Sequence, residues 1–123
     1  MHVREATPDE RPAVRNVLDG GLLAVDDVAD RIVAGDVLVA ATDGRLLGAL
    51  VLDDCADGAH IVAVAVRPRR RGQGIGTALV EAAADRKGRL SADFDPPVRP
   101  FYEALGFRIE PVGGGRLRGT YQR

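Results

Sequence analysis

Cys55 is the only cysteine in the sequence, which excludes an intrachain disulfide and a cysteine-based metal site. The opening residues Met1–His2–Val3–Arg4–Glu5 contain no apolar signal core. No apolar run approaches the roughly 20 residues that a membrane-spanning helix needs. These absences predict a soluble cytoplasmic protein that has no membrane partner and takes no metal. Net charge is also nearly absent, because 17 Lys and Arg against 18 Asp and Glu leave −1. That balance argues against general affinity for nucleic acid, and no aromatic platform accompanies the one arginine-rich stretch. Lysine is scarcer still. Lys87 stands alone among arginines, a bias of composition more than of mechanism.

What is present fits one globular domain over residues 1–123, long enough for a real core. Val3–Arg4–Glu5–Ala6 alternates as a short strand. Thr7 then caps a helix that has Pro8 in its first turn and Glu10 three residues after the cap. Ala13, Val14, Val17 and Leu18 continue that helix, and Gly20–Gly21 ends it. A second helix is expected over Val25 to Val33, with Val25, Val28, Ala29 and Ile32 on one face and Gly35 as its stop. Val37–Ala41 and Leu46–Leu52 read as an antiparallel hairpin turned at Asp43–Gly44. The Asp53–Gly58 stretch reads as the following turn.

Ile61 to Val66 is an unbroken run of β-branched and small apolar residues, expected as a strand buried on both faces in the middle of a sheet. Pro68 stops it, within a stretch that carries Arg67, Arg69, Arg70 and Arg71. Gly72, Gly74 and Gly76 follow, and Ile75, Leu79, Val80 and Ala83 then fall at helical spacing. A strand that turns through arginines and glycines into a helix binds phosphate. The first helical N–H groups lack partners, the dipole favours an anion, and residues without Cβ let oxygens reach the backbone. No Lys-Ser or Lys-Thr follows the glycines, so this is not a nucleotide-hydrolase P-loop. Thr77 and Leu79 stand where a dinucleotide fingerprint needs its third glycine.

Lys87–Gly88 marks the end of that helix. Arg89–Asp95 is a further strand, Pro96–Pro97 breaks it, and Val98–Leu105 is a short helix ending at Gly106. Phe107–Glu110 is the next strand. After a Gly113–Gly115 turn, Arg116–Tyr121 is expected as a last edge strand.

R-x-x-G-x-G from Arg69 to Gly74 resembles the acetyl-CoA pyrophosphate loop of the GNAT superfamily of N-acetyltransferases. Tyr102–Glu103–Ala104–Leu105–Gly106–Phe107 gives Y-x-x-x-G-F, which resembles that superfamily's second signature. The order of elements agrees over nearly the whole chain. The resemblance implies an α/β fold whose mixed, mostly antiparallel central sheet is flanked by helices on both faces. It also implies acetyl-CoA as co-substrate and a small-molecule or peptide amine as acceptor. The first two helices would wall the acceptor pocket, and a homodimer involving the C-terminal strand is a family-level expectation. Arg71, Gly72, Gln73, Gly74, Ile75, Gly76 and Thr77 would cradle the pyrophosphate, and Arg69 or Arg70 would meet the 3′-phosphate. Val64, Ala65 and Val66 would hold the pantetheine amides as a neighbouring strand does.

The chemistry needs a proton donor for the departing thiolate, and a phenol with a reference pKa of about 10 stays loaded at neutral pH. By resemblance that donor is Tyr102. The family's early-strand Glu is missing, and the matching positions hold His60 and Val62. His60 is therefore the candidate base, with water as the alternative. Asp53, Asp54 and Asp57 are candidates for a proton relay or for attracting a cationic amine, or else simply a turn. Cys55 lacks an adjacent base and is a poor nucleophile. Asp95 replaces the Asn usual in the family, which alters a contact near the cofactor path. A non-catalytic acyl-CoA-binding module of the same fold is the alternative function.

Overall fold

The structure is a computed structural model that describes residues 1–20 and 25–123. Its strands are β1 (His2–Glu5), β2 (Val37–Thr42), β3 (Arg45–Cys55), β4 (Gly58–Val66), β5 (Arg89–Phe94), β6 (Arg108–Gly113) and β7 (Arg116–Gln122). Its helices are α1 (Arg11–Gly20), α2 (Val28–Val33), α3 (Ile75–Lys87) and α4 (Arg99–Ala104). The strands form one sheet in the order β1-β2-β3-β4-β5-β7-β6, and only β4 and β5 run parallel. This is the expected mixed, mostly antiparallel sheet.

A 3-10 turn, Pro8–Glu10, leads into α1. Glu10 accepts the Thr7 N–H at 3.0 Å and receives both Arg4 guanidinium nitrogens at 2.7 and 2.8 Å, which ties β1 to the helix start. Arg4 above all draws the Glu10 carboxyl down to about 2. The helix ends at Gly20; the Gly21 half of the expected stop lies outside the described residues. α2 is shorter than its apolar spacing suggests. It starts only at Val28, after Asp27 takes a left-handed φ of 58°, and Ala29 faces solvent rather than the core. Asp43 and Gly44, with φ of 49° and 77°, turn the β2–β3 hairpin as a type I′ turn. β3 then runs through Cys55, so Asp53–Cys55 is strand and the turn is only Ala56–Asp57.

The sheet separates two cores. One holds Val14, Val17 and Leu18 of α1 with Val28 and Ile32 of α2, against Val39, Val51, Ala63 and Ala65. The other packs Ile75, Leu79, Val80 and Ala83 of α3 with Leu50, Leu52, Ile61, Leu90, Phe94 and Tyr102. Ile61 and Ala63 have the same alternation parity yet lie in opposite cores. A bulge explains this: Val51 pairs with Ala63 and Leu52 with Ile61, which leaves Val62 without a partner on β3. The apolar run is thus apolar on both faces because it changes face halfway, and it is not uniformly buried. Val62 is exposed, and Val64 and Val66 are half-buried.

The C-terminal strand also differs from expectation. β7 lies between β5 and β6, both of its edges are hydrogen-bonded, and β6 is the true edge strand. Short amphipathic strands do not encode which of two hairpin arms is inserted. A dimer made by pairing backbone to backbone on β7 is therefore closed off.

α3 sits hard against the sheet at Gly48. A Cβ there would lie 2.9 Å from the Ala65 carbonyl oxygen and 3.1 and 3.2 Å from Ile75 and Leu79. Gly48→Ala is expected to destabilise the fold by about 1–3 kcal/mol through overpacking, measured as a lower midpoint at unchanged slope in urea unfolding.

Candidate active site

β4 and β5 hydrogen-bond through only three pairs: Ala59–Leu90, His60–Ser91 and Ile61–Ala92. Beyond Ile61 the strands part, just where the Val62 bulge adds twist. β4 continues to Val66, while β5 stays in register with β7 to Phe94. Between them opens a cleft of about 620 Å³, lined by Ile61 to Val66 on one wall and by Asp93, Phe94, Asp95, Val98, Phe101 and Tyr102 on the other. The β5 side of β4 is thus a row of peptide groups with no ladder partner inside an otherwise continuous sheet, and such groups seek a hydrogen-bonding neighbour.

The glycine loop closes one end of the cleft. Gly72 and Gly74 have φ of 76° and 81°, a region that side chains with Cβ rarely adopt, and Gly74 is the N-cap of α3. Among the described residues, the N–H groups of Gly72 through Thr77 donate to no acceptor; the first that does is Ala78, to the Gly74 carbonyl at 3.0 Å. Six consecutive free N–H groups at the positive end of a 13-residue helix favour an anion. Arg71 folds back so that its Nε donates to the Val66 carbonyl at 3.3 Å, and it lines the cleft with Gly76. Gly76 is small for a packing reason as well, since a Cβ there would lie 3.3 Å from the Phe101 ring. Ile75 is buried in the core, so only its peptide N–H is available to a ligand. Gln73 is exposed and reaches back to the Arg69 carbonyl at 3.4 Å.

Tyr102 lies on the opposite wall. Its ring stacks on Phe94 at 4.5 Å between centroids and meets Phe101 and Phe107 edge-on at 5.0 Å each. Only 5% of the residue is exposed, and its hydroxyl bonds to no described residue, while Tyr102 itself lines the cleft. Burial pushes the phenol up to about 12. The result is a fixed ring and a fully protonated hydroxyl.

His60 lies near the cleft but is not among the residues lining it. Its Nδ1 is 2.8 Å from Ser91 Oγ, across the parallel pair. Alternation along β5 puts Ser91 and Asp93 on the sheet face opposite Leu90, Ala92 and Phe94. His60 and Asp93 therefore approach the cleft from one face and Tyr102 from the other. Arg118 grips Asp93 with two hydrogen bonds at 2.7 and 3.0 Å, which holds its carboxyl below the usual range. Arg116 pairs with Asp95 at 3.2 Å at the rim.

The acidic stretch before β4 plays no part in the cleft. Asp53 pairs with Arg31, Asp54 with Lys87 at 2.7 Å and Asp57 with Arg89 at 2.9 Å. None of the three lines the cleft, and each is held by a cation, so they form ion pairs away from the cleft and not the expected proton relay. Cys55 is exposed, and its thiol approaches only the Asp53 carbonyl, at 3.8 Å. Arg69 and Arg70 face a second cavity on the β3 side of the loop. Sequence reasoning missed Ser91, Asp93, Phe94, Phe101 and Arg116. Alternation within Arg89–Asp95 offered a weak signal for Asp93, and nothing local signalled Arg116.

Residues 34–109 match the family model described as an acetyltransferase (GNAT) domain. No curated protein matches the chain. Among solved structures it is similar to a GNAT-family acetyltransferase from Bacillus cereus ATCC 10987, at a TM-score of 0.85 and 14% identity, over 99% of this chain and 96% of that one. It is also similar to the PaiA N-acetyltransferase of Thermoplasma acidophilum in complex with coenzyme A, at 0.83 and 15%, over 99% and 98% of the two chains. A third is YncA from Salmonella typhimurium, solved with acetyl-CoA, at 0.76 and 18%, over 99% and 93%. At these identities the likeness shows the fold alone.

The Tyr102 phenol makes an alkaline prediction. In the folded chain it ionises near 12, against about 10 when unfolded. Above pH 10 the unfolded state therefore binds fewer protons, and stability falls as pH rises toward 12, by at most roughly 3 kcal/mol. Denaturant unfolding at pH 9 and 11 should show this loss, and Tyr102→Phe should make it clearly smaller.

Proposed function

The chain belongs to the GNAT acetyltransferase family, and on that premise we propose that it is an acetyl-CoA-dependent N-acetyltransferase that acts on a primary amine by direct transfer. The observation that carries this is the meeting, at one cleft, of an unpaired strand edge, a run of free N–H groups and a buried phenol. The residues suit the co-substrate. Gly72 to Thr77, with Arg71, would take the pyrophosphate, and the peptide groups of Val64, Ala65 and Val66 would pair with the pantetheine amides. Acetyl-CoA supplies an acetyl group activated as a thioester.

The acceptor amine, on a small molecule or peptide, enters from the face of His60 and Asp93. Its nitrogen bonds to the acetyl carbon, the carbon–sulfur bond breaks, and Tyr102 gives its proton to the departing sulfur. His60, oriented by Ser91, takes the proton that the amine loses. Asp93 is the poorer base because Arg118 stabilises its ionised form, and it serves instead to attract a cationic amine.

Titration calorimetry should show micromolar binding of acetyl-CoA and CoA, with ATP and NAD silent. Absence of CoA binding would sink the assignment. Tyr102→Phe should keep CoA affinity within about twofold and lower kcat by roughly 10²–10⁴-fold, followed as CoA release over a panel of amines. Binding with no turnover on any amine, in wild type and variant alike, would point to the acyl-CoA-binding module instead.

A further inference from the structure

Arg45, Arg67, Arg69 and Arg70 surround a cavity of about 450 Å³ whose remaining lining is Leu47 and Pro68. It shares no lining residue with the cleft. The two lie on opposite sides of the end of β4: the cleft toward β5, the basin toward β3, where the Arg67 N–H bonds to the Leu47 carbonyl at 2.9 Å. Arg67 is half-buried and fixed, because its Nε also donates to the Leu46 carbonyl at 2.7 Å.

Eight of the sixteen arginines pair with a carboxylate: Arg4, Arg31, Arg86, Arg89, Arg99, Arg116, Arg118 and Arg123. Of the eight that pair with none among the described residues, Arg11, Arg15 and Arg108 stand on other elements, whereas Arg45, Arg67, Arg69 and Arg70 line this one basin with Arg71 next in sequence; the undescribed Gly21–Ala24 segment contains no acid. The chain has acids to spare, yet it gathers four guanidiniums where like charges repel and an oxyanion would relieve them. Leu47 and Pro68 supply the apolar part of the lining. No aromatic side chain lines the basin for a base to stack on, and its size suits a small ligand.

The geometry points to a second anion site, one that holds a small ligand carrying two or more phosphate groups beside the cofactor cleft and at the same time as the cofactor. Because Arg67–Arg70 run directly into the glycine loop, an occupant would brace that loop from its outer side. This site does not depend on the transfer chemistry proposed above.

The probe is inorganic pyrophosphate, titrated calorimetrically into protein with and without saturating CoA. One pyrophosphate per chain is expected to bind the CoA-loaded protein. Replacing Arg45, which stands on β3 and outside the glycine loop, as Arg45→Glu, should weaken it at least tenfold and leave CoA affinity within twofold. The Arg45 side chain is exposed and unpaired among the described residues, and a melting curve confirms that the variant folds. If CoA does not bind at all, the proposed function fails on its own, and the basin is tested by comparing wild type and variant without CoA. The inference is overturned if CoA abolishes pyrophosphate binding, or if pyrophosphate does not bind. It is overturned too if the Arg45→Glu variant weakens CoA but not dephospho-CoA, which would make the basin the cofactor's own 3′-phosphate contact. Salt-sensitive binding of a single-stranded RNA through these arginines in place of pyrophosphate would likewise overturn it.

Discussion

The cleft exists because the ladder between β4 and β5 is interrupted. These are the only parallel neighbours in the sheet, and they share three residue pairs before separating. Had pairing continued to Val66, the sheet would be seamless and the peptide groups of Val62 to Val66 would be satisfied. Instead, β5 commits its other edge fully to β7, and the Val62 bulge turns β4 away. Aromatic rings stand beside the gap: Phe94, Phe101 and Phe107 each pack against Tyr102. Everything assigned to the site depends on this parting. It frees the backbone edge, gives the Tyr102 hydroxyl an opening, and sets the N-terminus of α3 at the end of the slot.

The elements with strong local chemistry were readable before any coordinates. Asp43–Gly44 encodes its turn by backbone conformation, Gly72 and Gly74 encode the loop, and Ile75, Leu79, Val80 and Ala83 encode the buried face of α3. What could not be read depends on register between distant segments. The Val62 bulge changes the face of half a strand and leaves the composition of the run unaltered. The insertion of β7 between β5 and β6 is a choice between two arms of similar polarity. Ser91 meets His60, and Arg118 meets Asp93, only through strand pairing across 31 and 25 residues of sequence. The acids of Asp53–Asp57 looked available because sequence shows charges without their partners.

Electrostatic roles divide along the molecule. Carboxylates and guanidiniums neutralise each other over much of the surface, in mostly exposed pairs that add little stability each. Unpaired arginines concentrate at the end of β4, where Arg45, Arg67, Arg69, Arg70 and Arg71 have no acidic partner among the described residues. A near-zero net charge therefore hides a local positive pole. Average charge is a poor guide to such a molecule, since long-range attraction of an anion follows the local field rather than the sum.

Lys87 ends α3 with its ammonium 2.7 Å from Asp54 and 3.5 Å from Asp36 Oδ1, a buried oxygen with no hydrogen bond. Asp54 above all raises its pKa, so the nitrogen stays protonated and carries no lone pair for attack. It is also the only ε-amine in the sequence. An activated acyl thioester, the co-substrate proposed above, reacts with a neutral amine and not with an ammonium. Because every other basic side chain apart from the two histidines is a guanidinium, this ion pair leaves the chain without a neutral ε-amine for such a reagent to acylate, and the exposed Cys55 thiol and the α-amine are the nucleophiles that remain.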